Sequence, residues 1–152
     1  MDDFPLFLPN EETGQLESSH HPFTAPKSGQ TELVYSAPEQ VIGQNFDLVI
    51  NGREIGGGSI RIVDHDLQRY IFEEVLASGQ TTASMDYFME ALRSGCPPHG
   101  GFAIGLDRLL ALICQEPSIR DVIAFPKAAH GKDLMANSPG PVEAAVKKLY
   151  HI

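Results

Sequence analysis

The clearest pattern of apolar and polar positions lies mid-chain. The run Phe46–Ile50 is followed by Asn51-Gly52 and a return segment from Arg53. Asn-Gly favours the two-residue type I′ turn, whose central residues both need positive φ, so the pattern predicts a β-hairpin. The return strand meets Gly56-Gly57-Gly58 before Ser59–Val63. The period then lengthens. Leu67, Ile71 and Val75, with Tyr70, form an apolar stripe behind Asp64, a good N-cap, and predict a helix to about Ala77. Met85, Phe88, Met89 and Leu92 recur at helical spacing and predict a second helix over roughly Ala83–Ser94, with Gly95 at C′ and Pro97 and Pro98 beyond. Both stripes are read as core.

Gly101–Gly105 reads as a glycine-rich strand feeding a buried helix, Leu106–Gln115. Ile119–Phe125 is a further apolar segment ended by Pro126, and Pro141–Leu149 a last short helix. Residues 1–45 are rich in turn formers. There Phe4–Leu8 is a short apolar run, Asn10–Gly14 a turn and Leu33–Tyr35 a short strand. Hairpins lead and helices cluster, without βαβ alternation. The expected fold class is therefore α+β, an antiparallel sheet flanked by helices.

Composition narrows this picture. A chain of 152 residues is one domain or a piece of a larger one. The net charge of −9 argues against a nucleic-acid groove spread over the surface, because phosphate binding needs clustered Lys and Arg. The longest uninterrupted apolar run, Leu109–Cys114, is too short for a membrane span. Cys96 and Cys114 form no CxxC pattern and read as free thiols. The opening Asp2-Asp3-Phe4-Pro5 has no leader character and reads like the interior of a protein.

The hairpin carries the most informative chemistry. A two-residue turn pairs Val49 with Glu54, and Asp47 shares a face with Val49, so Asp47 and Glu54 are diagonal neighbours within reach of one ion. Two such carboxylates suit Mg²⁺, which takes one or two carboxylates plus substrate phosphates; they also suit a solvated surface. The glycines in a strand mark a bulge or a close approach by a ligand. Simple alternation puts Arg61 on the face opposite Glu54, and one glycine bulge would bring it round. Arg61 can recognise a carboxylate through two donors, or cap Asp64 or Asp66. Gly101, Ala103 and Gly105 leave one strand face flat, fit for a planar base or for tight packing, and Arg108 beyond them can stack on a ring or pair with phosphate. His20-His21 point apart on an extended chain, so a shared metal is disfavoured, while one of them could meet an anion.

Together these segments resemble a known family. His20–Pro26 (HHPFTAP), Asp47–Arg61 (DLVINGREIGGGSIR), Pro97–Arg108 (PPHGGFAIGLDR) and Ser118–Lys127 (SIRDVIAFPK) follow the order seen in bacterial and mitochondrial aspartyl-tRNA synthetases. Gly101–Arg108 resembles the third signature motif of class II synthetases, with Ala103 where the family usually has glycine. The resemblance implies ATP contacts from Glu54, Gly105, Leu106, Asp107 and Arg108, and Mg²⁺ held by Asp47 and Glu54. It implies that Arg61 pairs with the side-chain carboxylate of L-aspartate and that His20 lies on a mobile loop over the amino acid. The implied reaction joins aspartate to tRNA(Asp) through aspartyl-adenylate, by positioning and charge neutralisation rather than by a protein nucleophile. In the full-length enzyme it implies a homodimer, with no membrane partner.

The first and second signature motifs and the anticodon-binding barrel have no counterpart in residues 1–152. The chain is therefore expected to be the C-terminal part of a catalytic domain and inactive alone. The alternative is a non-catalytic paralogue that binds aspartate, nucleotide or a partner. An asparagine- or lysine-specific relative fits the His20-His21 loop less well. Gly131–Met135 and the ending Tyr150-His151-Ile152 look more mitochondrial than bacterial, which places the protein in the mitochondrial matrix, with bacterial cytoplasm as the alternative.

Overall fold

The structure, a computed structural model, describes residues 1–76 and 85–151. The chain divides into two compact units, Met1–Gly105 and Leu106–Ile152. The first contains both sheets. Strands β1 (Phe7–Pro9) and β2 (Leu16–Ser18) pair antiparallel around the expected turn, where the Asn10 side chain accepts from the backbone of Glu12 and Thr13. The functional face is built on a second, three-stranded sheet of order β3-β4-β5, with β3 Asn45–Ile50, β4 Arg53–Ile60 and β5 Gly100–Ile104.

The hairpin forms as the sequence predicts. Asn51 has φ 51° and Gly52 φ 76°, the left-handed pair that a type I′ turn needs. Ile50 opposes Arg53 and Val49 opposes Glu54. Leu48 then faces Gly56, which leaves Ile55 as an extra residue on β4. This is the expected bulge, but it falls just before the glycines rather than among them.

The glycines serve packing between strands. A methyl group on Gly56 would lie 2.4 Å from the Ala103 carbonyl oxygen, and one on Gly58 2.1 Å from that of Gly101. The close approach expected of a ligand is here made by the backbone of β5. Around Gly58, Phe46 and Phe102 stack with ring centroids 5.9 Å apart. With Leu48, Ile60 and Ile104 they leave one side of the sheet apolar and exposed.

The core lies beside this sheet. Leu6, Phe7, Ala25, Val34, Val41, Ile62, Leu67 and Ile71 cluster there, all buried. Leu33–Tyr35, expected as a strand, is helical inside α1 (Thr31–Ser36), where only Val34 is buried. One inward residue on a single turn satisfies the core without a strand partner. Asp64 caps α2 (His65–Tyr70) by accepting from Leu67 N at 2.7 Å. A π-helical turn, Ile71–Val75, continues it and buries Ile71 and Phe72. The expected helix limits Ala77 and Ala83 lie outside the described residues. The second helix, α3, runs Asp86–Arg93 and closes at Gly95, whose φ is 104°.

The second unit opens with α4 (Leu106–Ile113) and ends with α5 (Ala144–Tyr150). Expected to be buried, α4 buries only Ala111 and leaves Leu106 and Ile113 largely exposed. The Ile119–Phe125 segment holds one 3-10 turn, Ile119–Asp121. Glu143, not Pro141, flanks the start of α5. Both cysteines are free, and among the described residues no helix is long and apolar enough to cross a membrane.

Gly58→Ala should destabilise the first unit by about 2 kcal/mol, because the added methyl meets fixed backbone. The urea midpoint measures this, and an unchanged midpoint would show that β5 is not held so close.

Candidate active site

Register decides which side chains share a face, because opposed residues of an antiparallel pair point to the same side. Asp47 opposes Gly57, and Gly57 opposes Ala103. Asn45 opposes Ser59, and Ser59 opposes Gly101. Arg61 extends the same face two residues beyond Ser59. Glu54 opposes Val49, which lies on the Asp47 side of β3. The Ile55 bulge thus puts Glu54, Asp47 and Arg61 on one face, where simple alternation along β4 would separate Glu54 from Arg61.

Asp47 is half-buried across Gly57, where an added methyl would lie 2.8 Å from its Oδ1. The glycine therefore makes room for the carboxylate. Two carboxylates on one face supply the hard oxygen donors that Mg²⁺ prefers, so Asp47 and Glu54 fit that ion. Among the described residues no cluster of three His, Cys, Asp or Glu side chains forms a metal cage.

Arg61 is the centre of a second group. Its guanidinium lies over Gly101, with Nη2 2.6 Å from where a methyl there would be. Its Cζ sits 5.0 Å from the centroid of the Phe23 ring. Burial lowers its pKa, and among the described residues no carboxylate forms an ion pair with it. Neither Asp64 nor Asp66 takes the arginine, as the surface-capping alternative would have required. Asp64 caps α2, and Asp66 meets His65 and Arg69.

The histidine beside Arg61 is His21. Its Nε2 is the ring nitrogen nearest Arg61 Nη1 and lies 3.1 Å from Ser59 Oγ, while its Nδ1 lies 3.0 Å from the same Nη1 and 3.1 Å from Thr24 Oγ1. Thr24 and Ser59 are fully buried. The ring stacks on Phe23 at 4.0 Å. Burial, then the Arg61 charge and then His20 push the His21 pKa down to about 4. His20 is exposed and touches the ring of His21 at 4.3 Å. The sequence left open which of His20 and His21 would meet an anion, and it gave Thr24 and Ser59 no role. The signal was present in the His21-x-x-Thr24 spacing and in the strand alternation of Ser59 with Arg61.

The chain around these histidines is tied down. Phe23 O accepts from Ile62 N at 3.0 Å, and Ala25 N donates to Ile60 O at 2.9 Å. Buried Gln68 on α2 donates to Pro22 O at 2.8 Å. At the far end of the sheet, Gly105 N donates to Ile55 O at 2.7 Å. Leu106, Asp107 and Arg108 follow as the first turn of α4 in the second unit.

A glycine-threaded antiparallel sheet with two carboxylates and a partly buried arginine on one face matches a known class. The model of the tRNA synthetases class II (D, K and N) covers residues 1–129, and the chain belongs to that family. Within it, the chain is 56% identical over 151 residues to the mitochondrial aspartate–tRNA ligase of Mus musculus, covering 99% of the chain and 23% of that protein. It is 49% identical over 152 residues to an aspartate–tRNA(Asp/Asn) ligase of Opitutus terrae, covering 99% of the chain and 26% of the relative. The aspartyl-tRNA synthetase structure from Entamoeba histolytica matches with TM-score 0.62 at 26% identity, over 84% of this chain and 22% of the other. The chain thus spans about a quarter of the length of the curated relatives it matches.

A neutral His21 implies a pH dependence. Its folded pKa of about 4 lies below the ordinary 6.5, so the unfolded chain binds more protons between these values. This contribution to stability is complete above pH 6.5 and is lost as pH falls toward about 4. Urea midpoints at about pH 7 and about pH 5 should fall further in the native chain than in His21→Gln. Equal losses in the two proteins would show that His21 is not held neutral.

Proposed function

We propose that this chain is the C-terminal portion of the catalytic domain of an aspartate–tRNA ligase, and that its sheet face binds L-aspartate and ATP–Mg²⁺. The observation that carries the reading is Arg61, partly desolvated and without an ion pair among the described residues. A guanidinium in that state gains most from a bidentate carboxylate, which restores the charge partner that burial has removed. Asp47 and Glu54 share its face and would hold the cation. When bound, Mg²⁺ neutralises phosphate charge as it develops. The chain's own residues align the two substrates: Arg61 takes the aspartate side chain, and the third-motif residues Gly105, Leu106, Asp107 and Arg108 take ATP. The exposed apolar side of the sheet, with Phe46, Leu48, Phe102 and Ile104, is consistent with a partial domain, since such patches mark surfaces that pack against further protein.

On this reading tRNA(Asp) and a second subunit belong to the longer enzyme, and the mitochondrial relatives favour a mitochondrial location. A non-catalytic paralogue that keeps the amino-acid and nucleotide contacts fits the same face, and aminoacylation separates the two. The 152-residue chain alone should form no aspartyl-tRNA. In calorimetric titration it should bind L-aspartate, and Arg61→Lys should weaken that binding about tenfold by removing the fork. Asp47→Asn should reduce the Mg²⁺-dependent part of ATP binding. Preference for asparagine over aspartate would overturn the assignment of Arg61.

A further inference from the structure

Gly101 is the part of the glycine strand that a nucleotide floor explains least. A methyl group there would lie 2.6 Å from Arg61 Nη2 and 3.4 Å from both Cζ and Nε. At Gly56 and Gly58 the obstacle is fixed backbone, whereas at Gly101 it is the end of a flexible side chain. Alanine at Gly101 would therefore move Arg61 and spare the sheet. The position a Cβ would take adjoins the Nε and Nη2 donors, so this edge lies against the Gly101 backbone. The remaining terminal nitrogen, Nη1, is engaged by the His21 ring, nearest at Nε2, and Phe23 lies against the guanidinium at 5.0 Å.

We propose that Gly101 and His21 are positioning residues for Arg61. His21 holds Nη1, and the missing side chain of Gly101 lets the Nε–Nη2 edge seat against the strand backbone, which sets the pose in which the guanidinium meets a carboxylate. Resting on the reading of Arg61 as the carboxylate ligand, this assigns Gly101 to the amino-acid half of the site although it opens the third-motif strand. The guanidinium has five donors in a rigid plane, so holding it at Nη1 and along the Nε–Nη2 edge fixes the whole plane. His21 can do this because it is itself anchored, through buried Thr24 and Ser59 and by its stack on Phe23. A fork held before the ligand arrives loses less side-chain freedom on binding.

The test uses the full 152-residue chain with L-aspartate and with ATP–Mg²⁺ as separate titrants. The Arg61 Nε–Hε signal, assigned by its loss in Arg61→Lys, reports the arginine pose without any ligand. Gly101→Ala should shift that signal and weaken aspartate binding about tenfold, while ATP–Mg²⁺ affinity changes by less than about twofold. His21→Ala should shift the same signal with a smaller loss, about threefold, and His21→Gln, which keeps an acceptor, should recover part of it. An unmoved Nε–Hε signal in Gly101→Ala, or equal losses for aspartate and ATP, would overturn the assignment while leaving Arg61 as the ligand. A native chain that binds no aspartate at millimolar concentration would overturn the reading of the site and this assignment with it.

Discussion

A half-buried guanidinium that no carboxylate among the described residues neutralises is the constraint around which this face is arranged. Removing a charge from water costs free energy unless a partner compensates. Arg61 has instead a neutral imidazole, an aromatic face and the bare backbone of a glycine. These contacts orient the cation without cancelling its charge, which leaves it complementary to an incoming anion. The same requirement explains the state of His21. A protonated imidazole would set N–H against N–H at Arg61, so the site holds this histidine neutral through the physiological range.

The sheet makes that arrangement possible through two departures from regular strand geometry. The extra Ile55 rotates the hairpin by one residue, so that Glu54 joins the face of Asp47 and Arg61. The glycines then allow three strands to approach closely while one face carries polar groups and the other stacked aromatic rings. Gly57 differs from its neighbours, because its absent side chain makes room for a carboxylate rather than for backbone. One run of identical residues thus meets two different steric demands, set by alternation along the strand.

Support for the face comes from segments far away in sequence. Thr24 bridges to Arg61, and Gln68 on α2 fixes the Pro22 carbonyl from behind. The histidine segment is therefore clamped between the end of the β4 strand and α2. Core packing and site geometry are coupled here, since the helix that buries Leu67 and Ile71 also carries Gln68.

The sequence by itself determined what local physics controls. The Asn51-Gly52 turn needs only two residues with positive φ, the Asp64 cap needs only the amides of its own first turn, and Gly95 ends its helix for the same local reason. Hence the hairpin, the helix start at Asp64, the helix stop at Gly95 and the pairing of Val49 with Glu54 were legible. The motif order likewise identified the family. The tertiary structure decided what depends on residues distant in the chain. Leu33–Tyr35 became helical because one buried valine met the core, and α4 stayed largely exposed despite its apolar run. The site was divided in the same way. Asp47, Glu54 and Arg61 could be listed from the sequence, but the bulge that gathers them is a property of strand register. That His21 rather than His20 lies against Arg61 also lay beyond the sequence. It follows from which ring the folded chain presses against Arg61, Thr24 and Ser59, and adjacent identical residues differ only in the direction they point.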